Sequence, residues 1–592
     1  MTISGTLPLM GDREAAGLIE VARGRAPADL AIVHARLANV YTGELLDDYA
    51  VTVKGKWIAY VGPAPEDDIG PETVVIDAQG LTVIPGLIDG HTHLAPPYDA
   101  AEFSRFAVQG GTTTVITETM ELFPVGGYEG VLDYLNSFQG QPLKLYATVA
   151  AMVSTSHACS GMPLAILKKL LKRDDVLGLG ESYWQAVLQN PNQFLPLYEE
   201  TLRCGKTVEG HSAGAAGRKL MAYAAAGVSS CHEPITAEEV RERLRLGMYV
   251  MLREGSIRRD LEVLARLKDM AVDLRRLILV TDGIDPKDFL DKGYMEYVVQ
   301  KAINTGFAPL DAIRMATLNV AEHFFLDGIL GGIAPGKYAD MLIIPDLQTI
   351  RPRYVISSGK LVVNDGELLV SPRKPVYRAA SRRSIHLAAE LRPEDFVIRT
   401  ESSLSRVRVR VIDQITDLVT AELKMEMPVT EGRIIADINQ DIIKVAAIDR
   451  TICPGKKFVG LLRGFQLHAG AFATSAAWDT SDIVVVGVSD ADMALAVNRI
   501  HALQGGTVVC AGGKILAEFP LPIFGLISPL PMDVLAAQME AITLAAQGLG
   551  IPFSNPFLTL ITLSGAAIPY LRICEEGLVN LKDGQTLGLI VE

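Results

Sequence analysis

The central part of the chain alternates between short apolar runs and longer segments whose apolar residues recur at helical spacing. The short runs are rich in β-branched residues and are bounded by turn-forming residues, which is typical of buried strands. Eight such units in succession favour an α/β fold with a (β/α)8 TIM-like barrel over an open doubly wound sheet. The first strand candidate carries His91 within the stretch Ile84–Leu94, where Pro85 and Gly86 indicate that one element ends and the next begins. The other seven strand candidates are Thr113–Thr117, Leu145–Ala150, Val176–Gly180, Thr207–Gly210, Gly227–Cys231, Tyr249–Arg253 and Leu277–Thr281. The helix candidates between them include Pro163–Arg173, Ala215–Ala226, Ala237–Leu246 and Asp260–Met270.

Strand-like alternation also flanks the predicted barrel on both sides. After a predicted helix at Glu14–Arg23, the runs Leu30–Val40 and Tyr49–Val61 indicate hairpins, and Met341–Ile344 begins further strands that continue to Val370. Because the ends of an inserted domain usually lie together, we expect both sets to form one composite β-sandwich domain. This assigns residues 1–84 and 334–385 to the sandwich and residues 85–333 to the barrel. After the eight barrel units, Ala308–Asn319 and its extension are predicted to form a helix.

The last third of the chain indicates a separate C-terminal α/β domain, residues 390–592, after a charged linker at 373–392. Its clearest elements are the strand candidates Val407–Ile412 and Asp482–Val488 and the helix candidate Asp490–Leu503. A chain of 592 residues with 49% hydrophobic residues can support two or three such cores.

Composition narrows the class of function. A formal charge of −14 argues against nucleic-acid binding, because phosphates would be repelled. No apolar run reaches the roughly 20 residues of a membrane-spanning helix, so no membrane partner is expected. The six cysteines, Cys159 among them, form no C-x-x-C pair, and residues 1–12 lack a signal-peptide pattern. A soluble, cytoplasmic protein with a small-molecule substrate is therefore expected.

Metal-ligand side chains occur at the ends of the predicted barrel strands. His91 and His93 are spaced i, i+2 on the first strand, so both imidazoles can point to the same face. Reactive groups of such barrels lie at the carboxyl ends of the strands, where the fourth, fifth, sixth and eighth candidates also end in potential ligands. The complete set is His91, His93, Glu181, His211, His232 and Asp282.

These ligand types indicate the chemistry. Four imidazoles and two carboxylates without a thiolate suit borderline-to-hard divalent ions, namely zinc, manganese or Fe(II). Glu181 could bridge two ions that share a water, whose pKa would fall from about 15.7 to near neutrality. Asp282 could then accept a proton from that hydroxide and pass it to the leaving group. Cys231, next to His232, is expected to face the opposite side of its strand and to serve in packing.

With these residues in place, the chain resembles the amidohydrolase superfamily and, within it, the bacterial adenine deaminases. The general amidohydrolase motifs are P-G-L-I-D-G-H-T-H at 85–93, G-G-T-T-T-V at 110–115 and G-x-I-A-P-G-K-Y-A-D at 331–340. The similarity to adenine deaminases continues in G-L-G-E at 178–181, G-H-S-A-G at 210–214, S-S-C-H-E at 229–233, L-R-E-G-S at 252–256, V-T-D at 280–282, A-T-L-N at 316–319, L-L-R-G-F at 461–465, S-D-A-D-M-A-L-A-V-N at 489–498 and P-F-L-T-L at 556–560.

The resemblance implies metal-dependent hydrolysis of adenine, or of a related aminopurine, to hypoxanthine and ammonia by a metal-bound hydroxide. It implies two divalent ions held by the six strand-end residues, with Asp282 and Glu181 as the catalytic residues. A homo-oligomer is also expected.

The chain departs from the family pattern around the expected substrate pocket. Ala95-Pro96-Pro97, Glu118-Thr119-Met120-Glu121, Gly283 and Trp478-Asp479-Thr480-Ser481-Asp482 replace polar family residues. Two alternatives therefore stay open, cleavage of a cyclic or N-acyl amide at the same metals and a non-catalytic scaffold. Glu118 and Trp184 are candidates for shaping the mouth, and the alternatives are a solvated carboxylate for Glu118 and a packed aromatic for Trp184. His157 and Glu118 are alternative proton carriers.

Overall fold

The computed structural model describes residues 10–63, 65–151, 154–158 and 161–591 of the chain. The strands of these residues form five sheets. Cys159 and residues 1–9, which entered the predictions about cysteines and a leader, lie outside the described residues. Among the helices of the described part, none is long and apolar enough to cross a membrane.

The N-terminal segment forms the helix and the hairpins predicted for it. Its two tight turns include Gly43 and Gly55, whose φ angles of 78° and 60° lie in the left-handed region that glycine adopts without steric cost. The elements are α1 (Asp12–Ala22), β1 (Leu30–Asn39), β2 (Glu44–Lys54), β3 (Trp57–Gly62), β4 (Val74–Asp77) and β5 (Thr82–Pro85).

All eight predicted barrel strands are present. Nearly every residue in them is buried, because both faces of a parallel sheet of this kind are covered. The strands are β6 (Leu87–Thr92), β7 (Thr112–Thr117), β8 (Lys144–Val149), β9 (Val176–Tyr183), β10 (Thr207–His211), β11 (Ser230–Cys231), β12 (Tyr249–Arg253) and β13 (Leu277–Val280). The helices are α2 (Ala100–Gln109), α3 (Leu122–Ser137), α4 (Leu164–Leu170), α5 (Trp184–Gln189), α6 (Pro191–Arg203), α7 (Gly217–Ala225), α8 (Ala237–Arg245), α9 (Leu261–Leu264), α10 (Pro286–Lys292), α11 (Met295–Asn304), α12 (Pro309–Met315) and α13 (Leu318–His323).

The eight strands close into a barrel through two parallel ladders. Strands β6 to β10 pair in sequence order, and β11 to β13 form the second ladder. The backbone N–H of Asp282 donates to the carbonyl of His91 over 3.0 Å, and that of Ser229 donates to the carbonyl of Val208 over 2.9 Å. These hydrogen bonds join the two ladders at both seams, so the predicted (β/α)8 barrel is confirmed.

The stretch Ile84–Leu94 changes from one element to the next at Pro85-Gly86, as the sequence predicted. It is interrupted at Gly86, so that Thr82–Pro85 belongs to the flanking sheet and Leu87–Thr92 to the barrel. A Cβ atom at position 86 would lie 2.3 Å from the hydroxyl of Thr113. Glycine is therefore required at the point where the chain passes from one domain to the next.

Two predicted helices are also shorter than expected. Asp260–Met270 is α-helical only over Leu261–Leu264 and continues as a 3-10 helix. Ala308–Asn319 divides into α12 and α13 at Thr317, whose φ of −144° is not helical. Short local distortions of this kind leave the apolar periodicity unchanged and are therefore not visible in the sequence.

After the barrel, the chain returns to the first sheet. The strands are β14 (Met341–Ile344), β15 (Tyr354–Ser357), β16 (Lys360–Asn364) and β17 (Glu367–Leu368). Strand β14 pairs antiparallel with β5, and the nine-stranded sheet has the order β17-β16-β15-β14-β5-β1-β2-β3, with β4 beside β1. Its apolar core contains residues from distant strands, such as Ile58 and Ile356, so the sheet encloses a core of its own.

The C-terminal part contains the two strands and the helix predicted there. A nine-stranded sheet has the order β20-β19-β18-β22-β21-β24-β23-β25-β26, and β27 to β29 form a smaller sheet. The elements are β18 (Arg406–Gln414), β19 (Thr420–Thr430), β20 (Arg433–Ile434), β21 (Ile442–Asp449), β22 (Lys457–Arg463), β23 (Ala471–Thr474), β24 (Asp482–Gly487), α14 (Asp490–Leu503), β25 (Gly506–Ala511), β26 (Lys514–Pro520), α15 (Met532–Gly548), α16 (Pro556–Ile561), β27 (Leu571–Cys574), β28 (Gly577–Asn580) and β29 (Gln585–Leu587).

Candidate active site

The structure brings all six predicted ligands together at one end of the barrel. His91 lies in β6, Glu181 in β9 and His211 at the end of β10, while the other three residues follow β6, β11 and β13 directly or within two residues. Parallel strands end at the same rim, which is why positions so far apart in the sequence converge. Each of the six is no more than 9% exposed: His91, His93, Glu181, His211, His232 and Asp282.

Glu181 lies between two groups of potential ligands. One group is His91, His93, Glu181 and Asp282, and the other is Glu181, His211 and His232; within each, the ligand atoms lie within 4.8 Å of one another. Glu181 Oε1 is 3.3 Å from His91 Nε2, 3.1 Å from His93 Nε2 and 3.6 Å from His232 Nε2. Imidazole nitrogens and carboxylate oxygens at these spacings fit divalent ions of the zinc, manganese or Fe(II) type.

Cys231 does not take part in either group. Its thiol is buried, and Sγ lies 2.8 Å from the hydroxyl of Ser212. The expectation that this cysteine serves in packing is therefore confirmed by its contacts.

Two glutamates stand behind the first histidine pair. Glu121 Oε1 is 2.6 Å from His93 Nδ1, so the carboxylate fixes the ring and leaves Nε2 directed at Glu181. Glu118 lies 3.6 Å from His91 Nδ1 and is 2% exposed, and burial raises its pKa to about 7. Glu118 therefore lies behind His91 and does not line the mouth of the cavity, where the sequence analysis had placed it.

Arg253 connects the acidic groups on the opposite side of the site. Its guanidinium contacts Glu233, lies 3.2 Å from Asp282 Oδ2 and lies 3.1 Å from Asp260. Burial by itself would raise the pKa of Asp282, but the contact with His91 and the positive charge of Arg253 lower it to about 2. Asp282 is therefore an ionised carboxylate at neutral pH.

A buried hydrogen-bond network holds the first and last strands of the barrel together below the site. Asp89 in β6 accepts from the hydroxyls of Thr281 and Tyr294, each over 2.6 Å, and from the N–H of His91 over 3.2 Å. Asp89 is fully buried, so its charge depends on these donors. The network sets the distance between His91 and Asp282.

A cavity of about 640 Å³ opens above the six residues. One wall comes from the barrel and includes Tyr183, Glu233 and Arg253. The other wall comes from the C-terminal part of the chain, through Leu418, Trp478, Asn555, Leu558, Ile568 and Pro569. A substrate would therefore lie between metal ligands on one side and an apolar surface on the other.

Sequence reasoning missed several residues of this site. Glu233 and Arg253 appeared in the sequence analysis only within the motifs at 229–233 and 252–256. Glu121 and Trp478 appeared only in the stretches that depart from the family pattern, at 118–121 and 478–482. Trp184 does not line the cavity; its indole nitrogen donates to the carbonyl of Ala213 over 2.8 Å. His157, one of the alternative proton carriers, is exposed and lies 3.2 Å from Thr586 in the C-terminal part.

Comparison with known proteins agrees with this architecture. Residues 82–362 match the model of the amidohydrolase family, and residues 417–585 match that of the adenine deaminase C-terminal domain. A protein of Moorella thermoacetica named adenine deaminase is 37% identical over 582 residues, covering 97% of each chain. Proteins of the same name from Clostridium botulinum and Cenarchaeum symbiosum are 35% and 36% identical, covering 97% and 96% of this chain and 97% and 94% of their own.

Proposed function

The chain belongs to the adenine deaminase family of the amidohydrolases, and on that premise we propose that it hydrolyses adenine to hypoxanthine and ammonia. One observation carries the proposal. The family relationship extends over 97% of the chain. The meeting of the six buried ligand-type residues at the rim of the barrel agrees with it. Membership of this family indicates that the protein is a hydrolase that acts on a C–N bond. The small-molecule substrate of the protein is a purine base.

The buried cluster and the family together indicate a divalent metal site. We propose that it holds two ions, manganese, Fe(II) or zinc, because Glu181 belongs to both ligand groups. His91, His93 and Asp282 would complete the first site, and His211 and His232 the second. When bound, such ions supply Lewis acidity, which lowers the pKa of water to near neutrality.

The residues of the chain would divide the remaining work. Asp282, ionised and within 3.2 Å of His91, would accept a proton during attack on the amine-bearing carbon and deliver it to the departing ammonia. Arg253 would keep this carboxylate in place through its contact with Oδ2. Glu181 would hold the two metal sites at a fixed separation, and Glu121 would orient His93 through its Nδ1.

The comparisons favour deamination over the amide cleavage that the sequence left open, because relatives that match over nearly the whole chain are named adenine deaminases. We also propose the domain division 1–84 with 334–385, 85–333 and 390–592. The pairing of β14 with β5 supports the first of these units. A homo-oligomer and a cytoplasmic location stay predictions.

The test combines metal analysis with product analysis on one preparation. The metal-loaded protein should convert adenine to hypoxanthine with one ammonia per turnover. A chelator should abolish the activity, and manganese, Fe(II) or zinc should restore it. A protein with full metal content that leaves adenine unchanged but releases a carboxylate from amides would overturn the proposal in favour of the alternative.

A further inference from the structure

We infer that Trp478 of the C-terminal part is a specificity-determining residue whose indole ring contacts the substrate ring. The inference rests on the proposed function and adds a residue to it. Trp478 lines the cavity together with Glu181, His211, His232 and Asp282. It stands in the stretch 478–482, where the chain departs from the family pattern, so the family relationship does not assign it a role.

Trp478 lies directly beside the metal ligands. Its ring is nearly parallel to that of His93, with an interplanar angle of 19° and 6.2 Å between the ring centroids. This spacing is too small for another ring to enter between them. A flat substrate at the six-residue centre must therefore lie against the edge or the free face of the indole.

The indole nitrogen of Trp478 is a buried donor with no hydrogen-bond partner among the described residues. An atom with no accessible surface cannot be reached from the cavity, so Trp478 presents its ring to a substrate and not its N–H group. Aromatic rings favour contact with another flat ring, by offset stacking or edge to face. Trp184, close to the same rim, does not line the cavity, and its indole nitrogen donates to Ala213.

The surrounding chain holds Trp478 in position. The backbone carbonyl of Trp478 accepts a hydrogen bond from the hydroxyl of Ser564 over 2.8 Å, and its backbone N–H donates to the carbonyl of Ile561 over 3.3 Å. The neighbouring Asp479 accepts a hydrogen bond from the hydroxyl of Tyr183 over 3.1 Å, and Tyr183 lies two residues beyond Glu181 in β9. The position of the indole is therefore coupled to the strand that carries the central glutamate.

The wall beside Trp478 is fixed by a buried arginine. Arg572 is fully buried and donates to the carbonyls of Ile568 and Leu418 over 2.8 Å each, and to that of Pro569 over 3.1 Å. All three acceptor residues line the cavity. The substrate ring is thus enclosed by a preformed surface, of which the indole of Trp478 is the aromatic part.

Ligand binding can be followed through tryptophan emission, because the chain has three tryptophans and only Trp478 lines the cavity among the described residues. Hypoxanthine, the product, should quench the emission of the metal-loaded protein. The quenching should persist in Trp184→Phe, the matched control, and disappear in Trp478→Phe. Quenching that survives in Trp478→Phe, or is absent in the parent, would overturn the contact.

Kinetics then test what the ring contributes. Trp478→Phe keeps an aromatic ring and should keep kcat/KM for adenine close to that of the parent. Trp478→Leu removes the aromatic contact and should lower kcat/KM by about 10- to 100-fold. Unchanged kcat/KM in Trp478→Leu would reject the inference. Failure of the proposed function has a different signature, namely quenching by hypoxanthine without release of ammonia from adenine.

Discussion

Asp282 is the residue at which the charges of the site converge. Its two oxygens face His91 at 3.2 Å and Arg253 at 3.2 Å, and its backbone N–H closes the barrel against His91. The sequence predicted this residue, because it follows an apolar strand. Arg253 could not be assigned in the same way, since an arginine at a strand end is equally typical of a solvated surface until its acidic partners are known.

Substituting Asp282 with asparagine tests the proton transfer. Asp282 has a φ of 59°, and asparagine is among the few residues that tolerate this left-handed conformation, so the backbone should be unchanged. The amide cannot accept a proton, and we expect kcat to fall by about 10²–10⁴. Steady-state kinetics and metal analysis of the same sample provide the measurement. Turnover near the parental rate would move the proton transfer to another residue.

Glu296 offers a pH-dependent prediction away from the site. Its carboxylate is buried although part of the residue is exposed. Burial raises its pKa from 4.5 to about 7, although the hydrogen bond from the backbone N–H of Tyr294 acts to lower the pKa. A carboxyl group whose pKa is higher in the folded protein stabilises the fold below pH 4.5. That contribution is lost as the pH rises through about 7.

Glu296→Gln removes this titration. As the pH rises from 5 to 8, the stability of the variant relative to the parent should increase by up to about 3 kcal/mol, at roughly 1.4 kcal/mol per pKa unit. Thermal unfolding midpoints of both proteins at the two pH values provide the test. A difference between variant and parent that is equal at both pH values would show that the Glu296 carboxyl is ionised in the folded protein throughout.

At the scale of elements, the barrel strands were the most predictable part of the chain. Their apolar runs are continuous because both faces of each strand are buried, and this feature depends only on local sequence. The break at Gly86 was also predicted, from Pro85 and Gly86 themselves, but the close approach of Thr113, a residue of the next strand, was not visible in the sequence. The seam between β6 and β13 follows from the predicted barrel, but the buried hydrogen bonds of Asp89 with Thr281 and Tyr294 that hold it were not visible in the sequence.

Tyr294→Phe tests that seam. Tyr294 is fully buried and donates to Asp89 Oδ2 over 2.6 Å, so its loss removes one donor from a buried carboxylate. We expect a loss of about 1–3 kcal/mol in stability and weaker metal retention. Tyr297→Phe is the matched control on the same helix, because its hydroxyl makes a longer bond of 3.3 Å to Glu254. Equal midpoints of thermal unfolding for the two variants would remove Asp89 as the organiser of the seam.

For the whole molecule, the C-terminal part is less separate than its sequence suggested. One cluster of buried apolar side chains continues from the barrel into the C-terminal sheet, including Phe103, Leu279, Val445 and Leu560. Hydrogen bonds also cross the boundary, such as that from the hydroxyl of Ser154 to the carbonyl of Asp479 over 2.6 Å. These contacts join positions hundreds of residues apart, and no local pattern reports them. The sequence therefore predicted the domain but not its place in the cavity wall.

The last prediction separates metal binding from substrate binding by forcing these two parts apart. Phe524 packs on helix α3, where a Cβ atom added at Gly130 would lie 3.3 Å from its ring. Gly130→Leu should displace the C-terminal wall and cost about 1–3 kcal/mol through overpacking. Because all six proposed ligands belong to the barrel, metal content should be retained while KM for adenine rises. Gly17→Leu, at a position with no neighbouring atom within 4 Å of an added Cβ, is the control. Parental KM in a destabilised Gly130→Leu protein would show that the barrel alone forms the substrate site.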